Sequence, residues 1–168
     1  MENQKSPENT MTLVLNGDMQ KNALDFVNFL HENEFQISYN PNEYADGKWT
    51  GAIGGTVGDS IGYMYVNSGT DFPDPWNIWI NEYDFNDDGS SEASELKNFL
   101  WENVNNCTRC NPNWEKCGGG EKIVLGKKFE SLCHSPMFFY TPDSQKLDMI
   151  KKLMLKVREK RNGALHTK

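Results

Sequence analysis

Four cysteines, Cys107, Cys110, Cys117 and Cys133, stand in the spacing C-x2-C-x6-C-x15-C, and they are all the cysteines the chain has. Cysteines buried for packing would scatter along a chain, because burial does not require neighbours. Tetrahedral zinc does require them: it takes four soft or borderline ligands at one point, and a C-x2-C turn supplies two with little strain. Asn, Pro and Gly between the cysteines allow a loop to wrap, and His134 offers a substitute nitrogen ligand. A zinc ribbon would carry two C-x2-C turns, and this chain has one. Two other readings stay open. One is four plain reduced thiols packed in a loop; the other is a redox pair of Cys107 and Cys110, since C-x2-C can lower a thiol pKa. The βαβ setting of a thioredoxin-like site is absent from the pattern.

A second candidate is oxygen chemistry. The run from Asp84 to Glu95 matches the calcium-loop pattern D-x-[DN]-x-[DN]-G-x5-E in full. Asp84, Asn86 and Asp88 would supply side-chain oxygens, Ser90 its carbonyl and Glu95 the closing carboxylate, while Gly89 permits the turn. Against calcium, Ser91 occupies a position that is usually apolar, the preceding segment reads as a strand, and no second loop pairs with it. The competing reading is an acidic turn that caps the following helix.

Other groups offer less. Trp49, Trp76, Trp79 and Trp101 are core candidates that would line an apolar pocket if exposed. The glycines between Gly51 and Gly62 fit neither phosphate-loop nor dinucleotide spacing and read as a turn. His31 falls on a helix facing solvent, and His166 falls in the tail. No Ser-His-Asp or Cys-His-Asn set can be assembled, so the reading leans away from an enzyme.

The elements that must position these groups form a single α+β domain. A helix is expected from about Met19 to Asn33 with Asp18 as its cap. Strands follow at Phe35–Tyr39, Lys48–Gly54, Ile61–Val66 and Trp76–Tyr83, an antiparallel meander. A second helix runs from Ser91 to Val104. After the cysteine loop come short strands at Lys122–Leu125 and Met137–Tyr140. A third helix, capped by Thr141 with Pro142 in its first turn, runs to about Arg161. Residues 1–10 read as a disordered extension, 11–161 as the domain and 162–168 as a frayed tail.

Composition narrows the function. At 168 residues with 12% aromatics, the chain can build one core. A net charge of −7 disfavours nucleic acid as a partner, the one basic concentration being Lys146 to Lys160 on the last helix. No apolar run approaches the length of a membrane span, and the N-terminus lacks a signal-peptide pattern. The expectation is a cytoplasmic protein with reduced thiols and a small-molecule or protein partner.

Several segments resemble a group of small, uncharacterised bacterial proteins, mainly from Firmicutes. They are Trp76-Asn-Ile-Trp79, Leu100-Trp-Glu-Asn-Val104, Asn106-Cys107-Thr-Arg-Cys110, Cys117-Gly, Leu125-Gly-Lys-Lys-Phe-Glu-Ser-Leu-Cys133 and Phe139-Tyr-Thr-Pro-Asp143. The likeness covers roughly the last hundred residues, continues into the Lys-rich last helix and carries no assigned activity. It implies that the cysteine loop belongs to the domain's design; the acidic loop is not shared by the group, which counts against calcium. The first half is loosely similar to YjbR-like domains. Together these readings point to a binding or regulatory domain with a zinc held by cysteine. A thiol-redox protein and, less favoured, a calcium module are the alternatives.

Overall fold

The structure is a computed structural model that describes residues 6–39, 49–55, 59–66, 74–106, 119–133 and 136–165. Helices α1 (Pro7–Val14) and α2 (Gly17–Glu32) precede strands β1 (Ile37–Tyr39), β2 (Trp49–Ile53), β3 (Gly62–Val66) and β4 (Trp76–Ile80). Then come α3 (Ser91–Glu102), β5 (Gly120–Val124), β6 (Lys127–Leu132), β7 (Phe138–Tyr140) and α4 (Ser144–Leu165). The main sheet is antiparallel in the order β1-β2-β3-β4-β7, and β5 with β6 forms a separate hairpin. The α+β class and the meander are therefore as expected, with four helices rather than three.

Side chains alternate across a pleated strand, and this sheet uses both of its faces. Trp49, Ile53, Met64, Val66, Trp76, Ile78, Ile80 and Phe139 form one core with the apolar stripes of the helices. Those stripes are Ala23, Phe26, Val27 and Leu30 of α2, Ala93, Leu96 and Leu100 of α3, and Leu147, Ile150, Leu153, Met154 and Val157 of α4. Their three- and four-residue spacing is why these segments are helices. The opposite face carries Ala52, Tyr63, Tyr65 and Phe138, with Trp79 and Tyr140 packed against them. Burial, and then the neighbouring Tyr63, push the Tyr65 hydroxyl well above its ordinary pKa.

Local chemistry corrects several sequence expectations. Residues 7–10 are helical, not part of a frayed extension: Ser6 caps α1 by accepting from the Asn9 N–H at 3.1 Å, with Pro7 in the first turn. Thr10 and Met11 of this helix are buried. The cap of α2 is Asn16, and Asp18 sits in the first turn, where a carboxylate favours the helix dipole. Asp143, not Thr141, caps α4, its Oδ1 accepting from the Lys146 N–H at 2.8 Å. Thr141 has a positive φ of 38°, and its N–H and Oγ1–H both donate to the Trp76 carbonyl. The last helix runs past Arg161 to Leu165.

Strand β6 was absent from the pattern reading. It joins β5 through Leu125-Gly126, whose φ values of 46° and 81° fit a two-residue hairpin turn with both residues left-handed. Leucine is not a residue that such a turn normally advertises, which hid the hairpin. Leu125 tolerates the position because its side chain packs against the main core.

Helix α2 ends in a Schellman motif. The Phe35 N–H donates to Leu30 O at 2.8 Å, and the Glu34 N–H donates to His31 O at 3.0 Å. Glu34 is exposed and left-handed, with φ 56°. Glycine would remove the Cβ penalty there. Glu34→Gly should raise stability by about 0.5–1 kcal/mol, a gain of a few degrees in Tm. An unchanged or lower Tm in a thermal melt would count against this account of the helix end.

Candidate functional site

Cys107, Cys110, Cys117 and His134 lie outside the described residues, as does His166. Cys133 is described and half-buried, and its N–H donates to Asn105 O at 2.8 Å. One residue earlier, Leu132 is flanked on both sides. Asn106 forms an antiparallel bridge with it, and Gly120 faces it in the β5–β6 ladder. The described residues leading into the segment that holds three of the cysteines therefore flank the same strand end as the residues leading out of it. The fourth cysteine follows at that strand end.

Asn105 is the fastener of this junction. Its backbone N–H donates to Pro136 O at 2.8 Å, and its side-chain Nδ2 donates to Pro136 O at 3.2 Å and Phe138 O at 2.9 Å. With the bond it accepts from Cys133, this one residue ties together β6, β7 and the start of the cysteine segment. Sequence reading passed over Asn105; an Asn pair directly before Cys107 was the available sign.

The acidic loop takes a different form from a calcium cage. Phe85 anchors it in the core. Asp84 pairs with Lys160, Asp88 with Lys156 at 3.7 Å, and Glu95 with Lys152 at 3.3 Å. Lys156 also reaches Glu92 at 3.3 Å, and Lys97 reaches Asp87 at 2.7 Å. Lys152, Lys156 and Lys160 stand four residues apart, hence on one face of α4, and each faces a carboxylate expected to take calcium or its neighbour in the loop. Ser90 caps α3, its Oγ accepting from the Ala93 N–H at 3.1 Å. Its carbonyl, the expected ligand, accepts from the N–H and hydroxyl of Ser94. Among the described residues, no three His, Cys, Asp or Glu side chains are grouped to hold a metal ion. The carboxylates of Asp84, Asp88, Glu92 and Glu95 instead make a ladder against α4.

Electrostatics follow this geometry. The Lys97 ammonium, then the Gly89 N–H, hold the Asp87 carboxyl below its usual range; hydrogen bonds from Ser90 do the same for Asp88. Contact with Glu92 raises Lys156. A carboxyl depressed in the fold contributes stability above its unfolded pKa and loses it as pH falls through the folded value. A raised lysine contributes below its unfolded pKa and loses it as pH climbs through the raised value. The ladder is thus complete at neutral pH. Acidification below the ordinary carboxyl range should open residues 84–92 before the core, seen as early loss of amide protection at Gly89 and Ser90. Simultaneous loss of protection in β3 would refute this order.

The four tryptophans, core candidates that would line a pocket if exposed, lie in different parts of the fold. Trp49 and Trp76 are in the main core, at 2% and 0% exposure. Trp79 lies on the opposite sheet face, its ring 5.4 Å from that of Tyr63. Trp101 is on α3, its Nε1–H donating to Val124 O at 2.8 Å, with the Lys97 and Lys127 ammoniums 5.7 Å and 5.2 Å from its ring. The separation has a simple cause. Trp76 and Trp79 are three apart on a strand, so a period of two sends them to opposite faces. His31, expected to be solvated, is more than half exposed and meets Glu8 at 2.9 Å.

No helix among the described residues is long and apolar enough to cross a membrane. Comparisons with protein-family models, curated proteins and solved structures find no match.

Proposed function

We propose that this chain is a non-enzymatic binding or regulatory domain of the cytoplasm whose cysteine segment is closed by a structural zinc. Cys107, Cys110, Cys117 and Cys133 are the ligands in this reading, and His134 is the reserve ligand. The observation that carries it is the flanking of Leu132 by Asn106 and Gly120, together with the Cys133–Asn105 bond. The described chain on either side of the segment meets at the strand end before Cys133, which brings the fourth cysteine next to the ends of the segment that holds the other three. Zinc would supply folding free energy directly, because a segment this rich in Gly, Asn and Pro has little apolar surface to bury.

The test is elemental analysis of untagged protein beside a thiol count. One zinc per chain is expected, with thiols that react slowly until chelator is added, and Cys133→Ser should lose the metal. Protein that folds fully with chelator, carries no metal and shows four ordinary reactive thiols overturns the proposal. A fast-reacting pair at Cys107 and Cys110 that cycles with reductant would overturn it in favour of thiol-redox chemistry.

A further inference from the structure

Of the clefts that described residues line, three differ in whether their cation is already engaged. In the cleft beside the β5–β6 turn, Glu82 is held by Arg161 and Asp84 by Lys160. In the cleft at the end of α2, Arg158 donates to Asn33 O and covers the Phe35 ring at 4.5 Å. The third cleft, of about 360 Å³, runs along the outer edge of β7 and is lined by Asp74, Asn103, Asn105, Phe138, Tyr140 and Lys146. Here a carboxylate and an ammonium share one cleft, yet neither side chain has an ion-pair partner among the described residues. On the same helix, Lys151, Lys152, Lys156, Lys160 and Arg161 all have acidic partners.

The uncharged groups narrow the chemistry. Asn105 uses its Nδ2 on Pro136 O and Phe138 O, and Asn103 uses its Nδ2 on Phe99 O at 2.8 Å. Each carboxamide is left with acceptor oxygen. With Asp74, that makes three acceptor groups suited to an ammonium, and one cation, Lys146, suited to a carboxylate. The half-buried Tyr140 adds an aromatic surface, its ring 4.8 Å from that of the buried Phe138. The volume falls within the range of small-ligand sites.

We infer that this cleft binds a small zwitterion with an apolar side chain, an α-amino acid. Its ammonium faces Asp74 and the two carboxamides, its carboxylate faces Lys146, and its side chain lies on Tyr140. The positions are independent of the cysteine ligands, so this inference and the zinc reading can fail separately.

The experiment is an NMR titration of the full chain with L-phenylalanine, N-acetyl-L-phenylalanine and L-phenylalaninamide. Saturable shifts at Asn103, Asn105 and Lys146 are expected for phenylalanine at millimolar concentration. Both blocked analogues should bind about tenfold more weakly. Lys146→Met should weaken phenylalanine about tenfold and leave the amide unchanged, whereas Asp74→Asn should weaken phenylalanine and leave the N-acetyl compound unchanged. Both side chains are at the surface, so both variants should fold. No saturable response at about 10 mM, or binding that neither substitution alters, overturns the inference.

Discussion

Trp76→Ala is expected to cost about 3–5 kcal/mol, much of the stability a domain of this size has. Trp76 is fully buried in β4, its ring 6.5 Å from that of Phe26 in α2. It joins the sheet to the helical layer, and its backbone carbonyl accepts both bonds from Thr141. Truncation leaves a large cavity between two layers that are each fixed by their own hydrogen bonds, so the site cannot collapse to fill it. The indole Nε1–H is buried with no hydrogen-bond partner among the described residues, so its removal gives back part of its desolvation cost and sets the expected loss toward the lower end of that range. Urea denaturation measures the effect. A loss below about 1 kcal/mol would mean that the two layers do not depend on this contact.

Gly62→Ala should be nearly as damaging, by a different route. A Cβ at Gly62 would lie 2.3 Å from the Trp79 carbonyl oxygen and 3.2 Å from the Ile80 Cα. Both are backbone atoms of the neighbouring strand, and no rotamer change can move them aside. The β3–β4 pair must separate locally in the middle of the sheet, at a cost of about 3 kcal/mol. The same melt with Gly126→Ala is a useful contrast. That glycine has open space around it, but its φ of 81° strains any other residue. Steric and conformational penalties can then be compared in one protein. A Gly62→Ala protein that melts like the parent would show that β3 and β4 are not so closely apposed.

The helices and the meander were legible because their apolar residues recur at the right periods. The stripe Leu147, Ile150, Leu153, Met154, Val157 reads as one helix face, and it is one. Ends were harder, since caps depend on one side chain and several candidates stood close together. Ser6-Pro7 was a readable helix start hidden in a polar stretch, and Asp143 outcompeted Thr141 by position alone. Among the candidate sites, the calcium pattern was complete in the sequence, yet the pattern does not record what faces it. Three lysines 57 to 76 residues later in the chain pair with its acids, and spacing within a loop carries no trace of them. Trp49 and Trp76 are core residues as their type suggested, but residue type says nothing about which sheet face a ring will take, and Trp79 lies on the other one. The charged cleft beside β7 was invisible for a related reason: Asp74, Asn105 and Lys146 meet only through the tertiary fold.

The position of β7 also has a kinetic consequence. Strands β1 to β4 pair with their neighbours in chain order, so their ladders close over short connections. β7 pairs with β4 only after α3 and the whole β5–β6 hairpin have been threaded between them. Chain entropy must be given up over that entire excursion before Ile78 and Phe139 meet. Early in folding, β4 is therefore an open edge bearing Trp76, Ile78 and Ile80, the kind of surface that recruits strands from other chains. Asn105, by bonding to Pro136 and Phe138, holds β7 from its outer side once that gap has closed.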